Sequence, residues 1–96
     1  MTARKPVTPR TGAEPTEVMG LDEIKRSVKA EEDLNSLFAT VFQGEKGDRA
    51  LTYLRIITQQ RILPPNASDA ELRYLEGQRR LVALIMERVR HGRERR

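Results

Sequence analysis

Apolar positions recur at helical spacing along most of the chain after residue 16. Leu21, Ile24 and Val28 begin the pattern, and Leu34, Leu37, Phe38, Val41 and Phe42 continue it as a denser stripe. The polar, acidic run KAEEDLN separates the two. This spacing predicts a helix over about 17–42, unbroken or interrupted near Asp33, with its second half packing. GEKGD at 44–48 reads as a stop and a restart. Gly44 suits the left-handed position after a helix, and Asp48 is placed to cap the next one. That next helix runs to about Gln60, with Ala50, Leu51, Leu54, Ile57 and Thr58 inward. Pro64 and Pro65 forbid its continuation.

Residues 61–67 read as a loop. Ser68 and Glu71 then form a capping box, each side chain bonding the other's backbone N–H. A last helix follows to about Arg90, with Leu72, Leu75, Val82, Ile85, Met86 and Val89 inward, and Gly92 can end it. No β-alternation, repeat or sustained heptad is readable. The predicted fold class is all-α: a small three-helix module, an αα-hairpin plus an N-terminal helix, with extended basic N- and C-terminal arms. The expected divisions are an extended or disordered arm at 1–15, a helical domain at 16–90 with its hairpin core at about 36–90, and an Arg-rich tail at 91–96. The first arm holds Pro6, Pro9 and Pro15, and after Met1 its one sizeable apolar side chain is Val7. Such a segment cannot bury a core by itself.

A chain of 96 residues allows one small domain with a thin core, which often depends on partners. It has no cysteine and a single histidine, His91, which excludes disulfide frameworks, thiolate metal sites and catalysis by His pairs. No apolar run approaches the roughly 18 residues of a membrane span, and the N-terminus lacks the apolar core of a secretory signal. The default expectation is therefore the cytoplasm, or wherever a partner carries the chain. The net charge of +4 sits in the tails: Arg4, Lys5 and Arg10 against Glu14, and five arginines against Glu87 and Glu94 after residue 86. The stretch 16–86 holds ten basic and eleven acidic residues. Basic tails touch nucleic acid or acidic proteins in many chains, or simply solubilise the ends.

Several motifs have plainer explanations. GEKG at 44–47 matches a bare G-x-x-G that clamps RNA backbone, but that fold needs strands, so a helix–helix turn is the better reading. The Asn66-Ala67-Ser68 sequon is accidental without a secretory signal. Asp22, Glu23, Glu31, Glu32 and Asp33 lack any histidine and sit beside Lys25, Arg26 and Lys29, which favours a solvated face over a metal site. His91 complements the end of the last helix. Phe38 and Phe42 share one apolar stripe and read as core, and Tyr53 and Tyr74 read as packing across the hairpin rather than as stacking platforms.

The stretch RYLEGQRRLVALIM at 73–86 carries a glycine inside a helix. There Glu76 can pair with Arg80, or with Arg73 or Arg79. Gly77 lets another backbone come close, from the helix at 48–60 or the one ending at Phe42. Arg79 borders the apolar stripe and needs a carboxylate or carbonyl partner, either Glu76 or the end of a neighbouring helix. Glu76, Gly77, Arg79 and Arg80 are thus a structural clasp or an interface.

Phe38-x-x-x-Phe42, Gly47, Ala50-Leu51-x-x-Leu54, a proline-containing loop and Tyr74-x-Glu76-Gly77-x-Arg79-x-x-Val82-x-x-Ile85 together resemble a family of short helical bacteriophage proteins. These are encoded among the head and tail genes of short-tailed phages. The resemblance covers about 36–90, and its most specific part is E-G-x-R. It implies a virion setting rather than an activity, and it transfers no catalytic residue and no cofactor. The expectation is a non-enzymatic structural or assembly protein in the virion, assembled in the host bacterial cytoplasm. It would bind a larger virion protein (portal, adaptor, capsid or internal head protein) in several copies that follow a symmetric ring. The site would lie near the portal vertex, the head–tail junction or the internal head, through Arg4, Lys5 and Arg10 and the exposed part of the 21–34 helix. The alternative is a DNA-binding accessory factor for genome packaging, with Arg88, Arg90, Arg93, Arg95 and Arg96 on phosphates. The near-neutral middle argues against that alternative. A membrane-surface helix at 81–89 is the weakest alternative, because the same residues are needed for the core.

Overall fold

The computed structural model describes residues 16–94. Its elements in order are strands β1 (Glu17–Met19) and β2 (Lys25–Ser27), then helices α1 (Val28–Val41), α2 (Gly44–Ile57) and α3 (Asp69–Glu94). The described chain is mostly helical, as its periodicity predicts, with one small hairpin added. It divides into two compact units whose boundary falls inside α1, after Glu31.

In the first unit, the hairpin replaces the helix expected from residue 17. β1 and β2 pair antiparallel, with Glu17 opposite Ser27, Val18 opposite Arg26 and Met19 opposite Lys25. The turn closes with Gly20 N–H donating to Ile24 O at 3.0 Å and Glu23 N–H to Gly20 O at 2.9 Å. Asp22 makes an Asx-type bond to Ile24 N–H, and Glu23 adopts φ 68°, a left-handed conformation that residues other than glycine rarely take. Arg26 reaches back from β2 to Asp22 with both terminal nitrogens, at 3.0 and 2.9 Å, and to Glu31 at 2.6 Å. The same Glu31 accepts the Leu21 N–H at 3.0 Å. Ser27 then starts α1, its Oγ accepting the Ala30 N–H.

In the second unit, α2 and α3 run antiparallel: Asp48 meets Arg93 near one end and Thr58 meets Arg79 near the other. The core is narrow, consisting of Ala39, Leu51, Leu75, Val82 and Val89. Glycines 47 and 92 make it possible. A Cβ at Gly47 would overlap the Phe42 backbone, and one at Gly92 would overlap the Asn35 carbonyl and lie 2.7 Å from the Ala39 Cβ. α1 therefore lies against α3 through Asn35 and Ala39.

That crossing corrects the expected inner face of α1. Leu37 and Val41 are 55% and 64% exposed, while Asn35 and Ala39 are buried. The inner stripe of α2 is Gly47 and Leu51, with Thr58 buried just past its end, and Ala50 and Ile57 face outward. On α3, Leu72 is also exposed. Asp48 is not a cap, since α2 already starts at Gly44 after Gln43. Gly92 does not end α3, which continues to Glu94. Gly44 does take the left-handed backbone foreseen for it, at φ 72°. The capping box closes reciprocally, with Ser68 N–H on Glu71 at 2.9 Å and Glu71 N–H on Ser68 Oγ at 3.1 Å. These bonds, the backbone N–H of Ser68 first, hold the Glu71 carboxyl below its ordinary value of 4.5.

Candidate functional site

The features singled out in the sequence gather on α3. Arg79 projects from it toward the end of α2. Its Nε donates to the Thr58 carbonyl at 2.9 Å, one terminal nitrogen to the Arg61 carbonyl, and the other to Glu76 at 2.6 Å. Gln59 answers by donating to the Arg79 carbonyl at 2.9 Å. Arg79 thus has both a carboxylate partner and carbonyl partners. The planar fork of a guanidinium suits this, because it can serve several acceptors at fixed angles. Glu76 pairs with Arg79, and Arg80 lies exposed on the helix. The sequence points Arg79 to Glu76 or to the end of a neighbouring helix; that the residues there are Thr58, Gln59 and Arg61 has no signal, since two of them act through their main chain.

Gly77 differs from its predicted role. Among the described residues nothing lies within 4 Å of where its Cβ would be, so no described backbone approaches it. Its helix-interior cost of about 1 kcal/mol is therefore not offset by packing against any described residue. One turn to either side, on the same face, stand Tyr74 and Leu81, 71% and 59% exposed. Tyr74 and Tyr53 consequently do not pack across the hairpin; both point outward.

The C-terminal arginines are mostly committed within the chain. Arg88 is 3% exposed and donates to Asn35 Oδ1 at 2.9 Å, which removes it from any phosphate-binding surface. Arg90 bridges Glu87 at 2.7 Å and Glu94 at 2.9 Å. Its hydrogen bonds to Glu87 raise its pKa, and in turn lower that of Glu87. His91 is 3.6 Å from Glu87. Arg93 joins Asp48 at 2.7 Å and the Phe42 carbonyl at 3.0 Å, tying the start of α2 to the end of α3. Arg4, Lys5, Arg10, Arg95 and Arg96 lie outside the described residues. The exposed helix expected at 21–34 is instead the hairpin turn, β2 and the start of α1.

A groove of about 570 Å³ opens between α2 and α3. Leu51, Met86 and Val89 line it, and Asp48, Arg90 and Arg93 stand among its charged residues. Its charges are of both signs and largely paired with one another, so it offers no concentrated field to a charged ligand. Among the described residues no group of three His, Asp or Glu side chains could hold a metal ion. Among them, too, no helix is long and apolar enough to cross a membrane. What the described surface presents is apolar side chains on helices: Leu37 and Val41 on α1, Tyr53 and Ile56 on α2, Tyr74 and Leu81 on α3.

The model of a protein family described as Bbp19-like phage protein matches residues 38–95. No curated protein and no solved structure matches the chain.

Proposed function

Since the chain belongs to the family of Bbp19-like phage proteins, we propose that it is a non-enzymatic structural or assembly component of a phage particle. It binds a larger virion protein, such as a portal, adaptor, capsid or internal head protein, in copies that follow that protein's ring symmetry. The observation that carries this reading is the balance of apolar residues in the helical body. Its core is confined to Ala39 and a few aliphatic side chains, while larger ones stand outward on every helix. Contact with a larger protein would cover such side chains, which a core this small leaves outside. The paired state of Arg90 and Arg93 and the burial of Arg88 favour this reading over genome binding through those residues.

The test is the protein content of purified particles. Mass spectrometry of gradient-purified phage carrying the gene should find the chain at a fixed ratio to the major head or tail proteins. Disrupting the gene should give particles arrested at an assembly stage. Absence of the chain from finished and intermediate particles alike would overturn the proposal. Retention only in DNA-filled particles, with release on nuclease and salt treatment, would favour the packaging-factor alternative.

A further inference from the structure

We infer that the outer face of the first half of α3 is a self-association surface, on which two copies of the chain pack antiparallel with their Gly77 residues in contact. Ala70, Tyr74, Gly77, Leu81 and Leu84 follow one another at successive turns and share this face. It lies opposite the stripe of Leu75, Arg79 and Val82 that packs toward α2. A partner for this side of the helix is already visible farther along it, within the chain. About four turns on, Gly92 lies near the same side, and α1 fills the space that glycine leaves, with the Asn35 carbonyl and the Ala39 Cβ in its notch. Gly77 repeats that notch, and none of the described residues enters it. The occupant suited to such a notch is another helix, approaching as α1 does at Gly92.

The chemistry of the face identifies that helix as a second α3. A two-fold axis through Gly77 reverses one helix against the other and brings like edges together. On one edge stand Tyr74 and Leu81. The axis sets Tyr74 of each copy beside Leu81 of the other, closing two apolar contacts from side chains that are more than half exposed in the single chain. Along the centre Leu84, half-buried in the single chain, comes opposite Ala70 of the other copy. Large meets small there, so each leucine seats over an alanine and the backbones can approach at the glycine. On the other edge Asp69, Arg73, Glu76 and Arg80 carry two charges of each sign. Two copies of this edge sum to no net charge. The reversal places Arg80 of one copy between Arg73 and Glu76 of the other, so the carboxylate that bonds Arg79 within its own chain also stands beside it. The face is therefore its own complement in size and polarity, and neutral in sum. This inference concerns the purified chain alone and does not depend on the virion reading.

Two measurements on the full chain test it. Light scattering over a rising concentration series is expected to show a monomer–dimer equilibrium. Gly77→Leu is expected to weaken it by about tenfold or more, the range that overfilling a close contact produces. The open space at Gly77 means that this variant keeps its helicity and melts no lower as a monomer. Because the chain has no cysteine, single cysteines report the register. Tyr74→Cys mixed with Leu81→Cys should cross-link as a heterodimer under mild oxidation, faster than either variant alone. Both positions are exposed, so neither substitution disturbs the chain's own core. Thr52→Cys, on the exposed side of α2, should not cross-link. A chain that stays monomeric at all concentrations, a dimer indifferent to Gly77→Leu, or cross-linking at Thr52→Cys in place of the mixed pair would each overturn the inference.

Discussion

Arg79 and Thr58, on opposite sides of the turn from α2 to α3, are joined by a bond from a side chain to a main chain: the Arg79 Nε–H donates to the Thr58 carbonyl at 2.9 Å. The same guanidinium reaches the Arg61 carbonyl and Glu76. Arg79→Ala is expected to destabilise the fold by about 1–2 kcal/mol, the scale of a few partly exposed charge-assisted hydrogen bonds. Arg79→Lys should recover little of it, since one ammonium cannot serve three acceptors at fork geometry. Urea unfolding followed by circular dichroism measures both. A loss of partner binding with unchanged stability would instead make Arg79 an interface residue.

Gly92 and Gly77 sit in one helix and should respond oppositely to alanine. Gly92→Ala pushes a methyl into the Asn35 carbonyl and the Ala39 Cβ, and is expected to cost about 1–3 kcal/mol. Gly77→Ala meets nothing and should stabilise the isolated chain by up to about 1 kcal/mol. Thermal melts at low protein concentration, where self-association does not contribute, distinguish the two.

The buried Asn35–Arg88 pair links α1 to α3. Asn35→Ala removes an acceptor from a guanidinium that is 3% exposed, at an expected cost of about 1–3 kcal/mol. Hydrogen exchange should show α1 opening more readily in that variant, with the first half of α3 little changed.

Ser68→Ala is expected to cost about 1 kcal/mol through loss of the cap. The other half of the box is pH-dependent. The Glu71 carboxyl is held below 4.5 in the folded chain, so its contribution is present above that value. It is lost as pH falls through the lower folded value. Glu71→Ala should therefore lower the melting temperature at pH 7, and the gap to the parent chain should close in strongly acidic solution. A gap that persists at about pH 2, well below the ordinary carboxylate range, would assign the effect to packing or helix propensity.

The last helix is the most legible part of the chain, because a capping box and a long apolar period agree on where it starts and which way it faces. The hairpin is not legible. Leu21, Ile24 and Val28 fit a helical spacing, and strands of three residues leave too little alternation to oppose it. The hairpin also holds Arg26 against Asp22 and Glu31, charges that composition reads only as a solvated face. The inner face of α1 misleads for a related reason. The close crossing at Gly92 and the buried Arg88 favour a small side chain and a hydrogen-bond acceptor, so Ala39 and Asn35 turn inward and the more hydrophobic Leu37 and Val41 turn out. Of the site, E-G-x-R announces an arginine in need of partners. That two of those partners are carbonyls beyond α2 cannot be read, because main-chain groups leave no trace in residue identity.

That last point makes the corner between α2 and α3 one-sided in its tolerance to change. Arg79 holds the oxygens of Thr58 and Arg61, which every amino acid carries. Replacing the Arg61 side chain leaves the grip itself in place, whereas replacing Arg79 removes it whatever stands opposite. In a saturation-mutagenesis screen for folded variants, position 61 should accept a broad range of residues and position 79 a narrow one. The corner behaves as a lock whose bolt is specified and whose socket is generic, so the segment after α2 can acquire new surface chemistry without loosening the helices it joins.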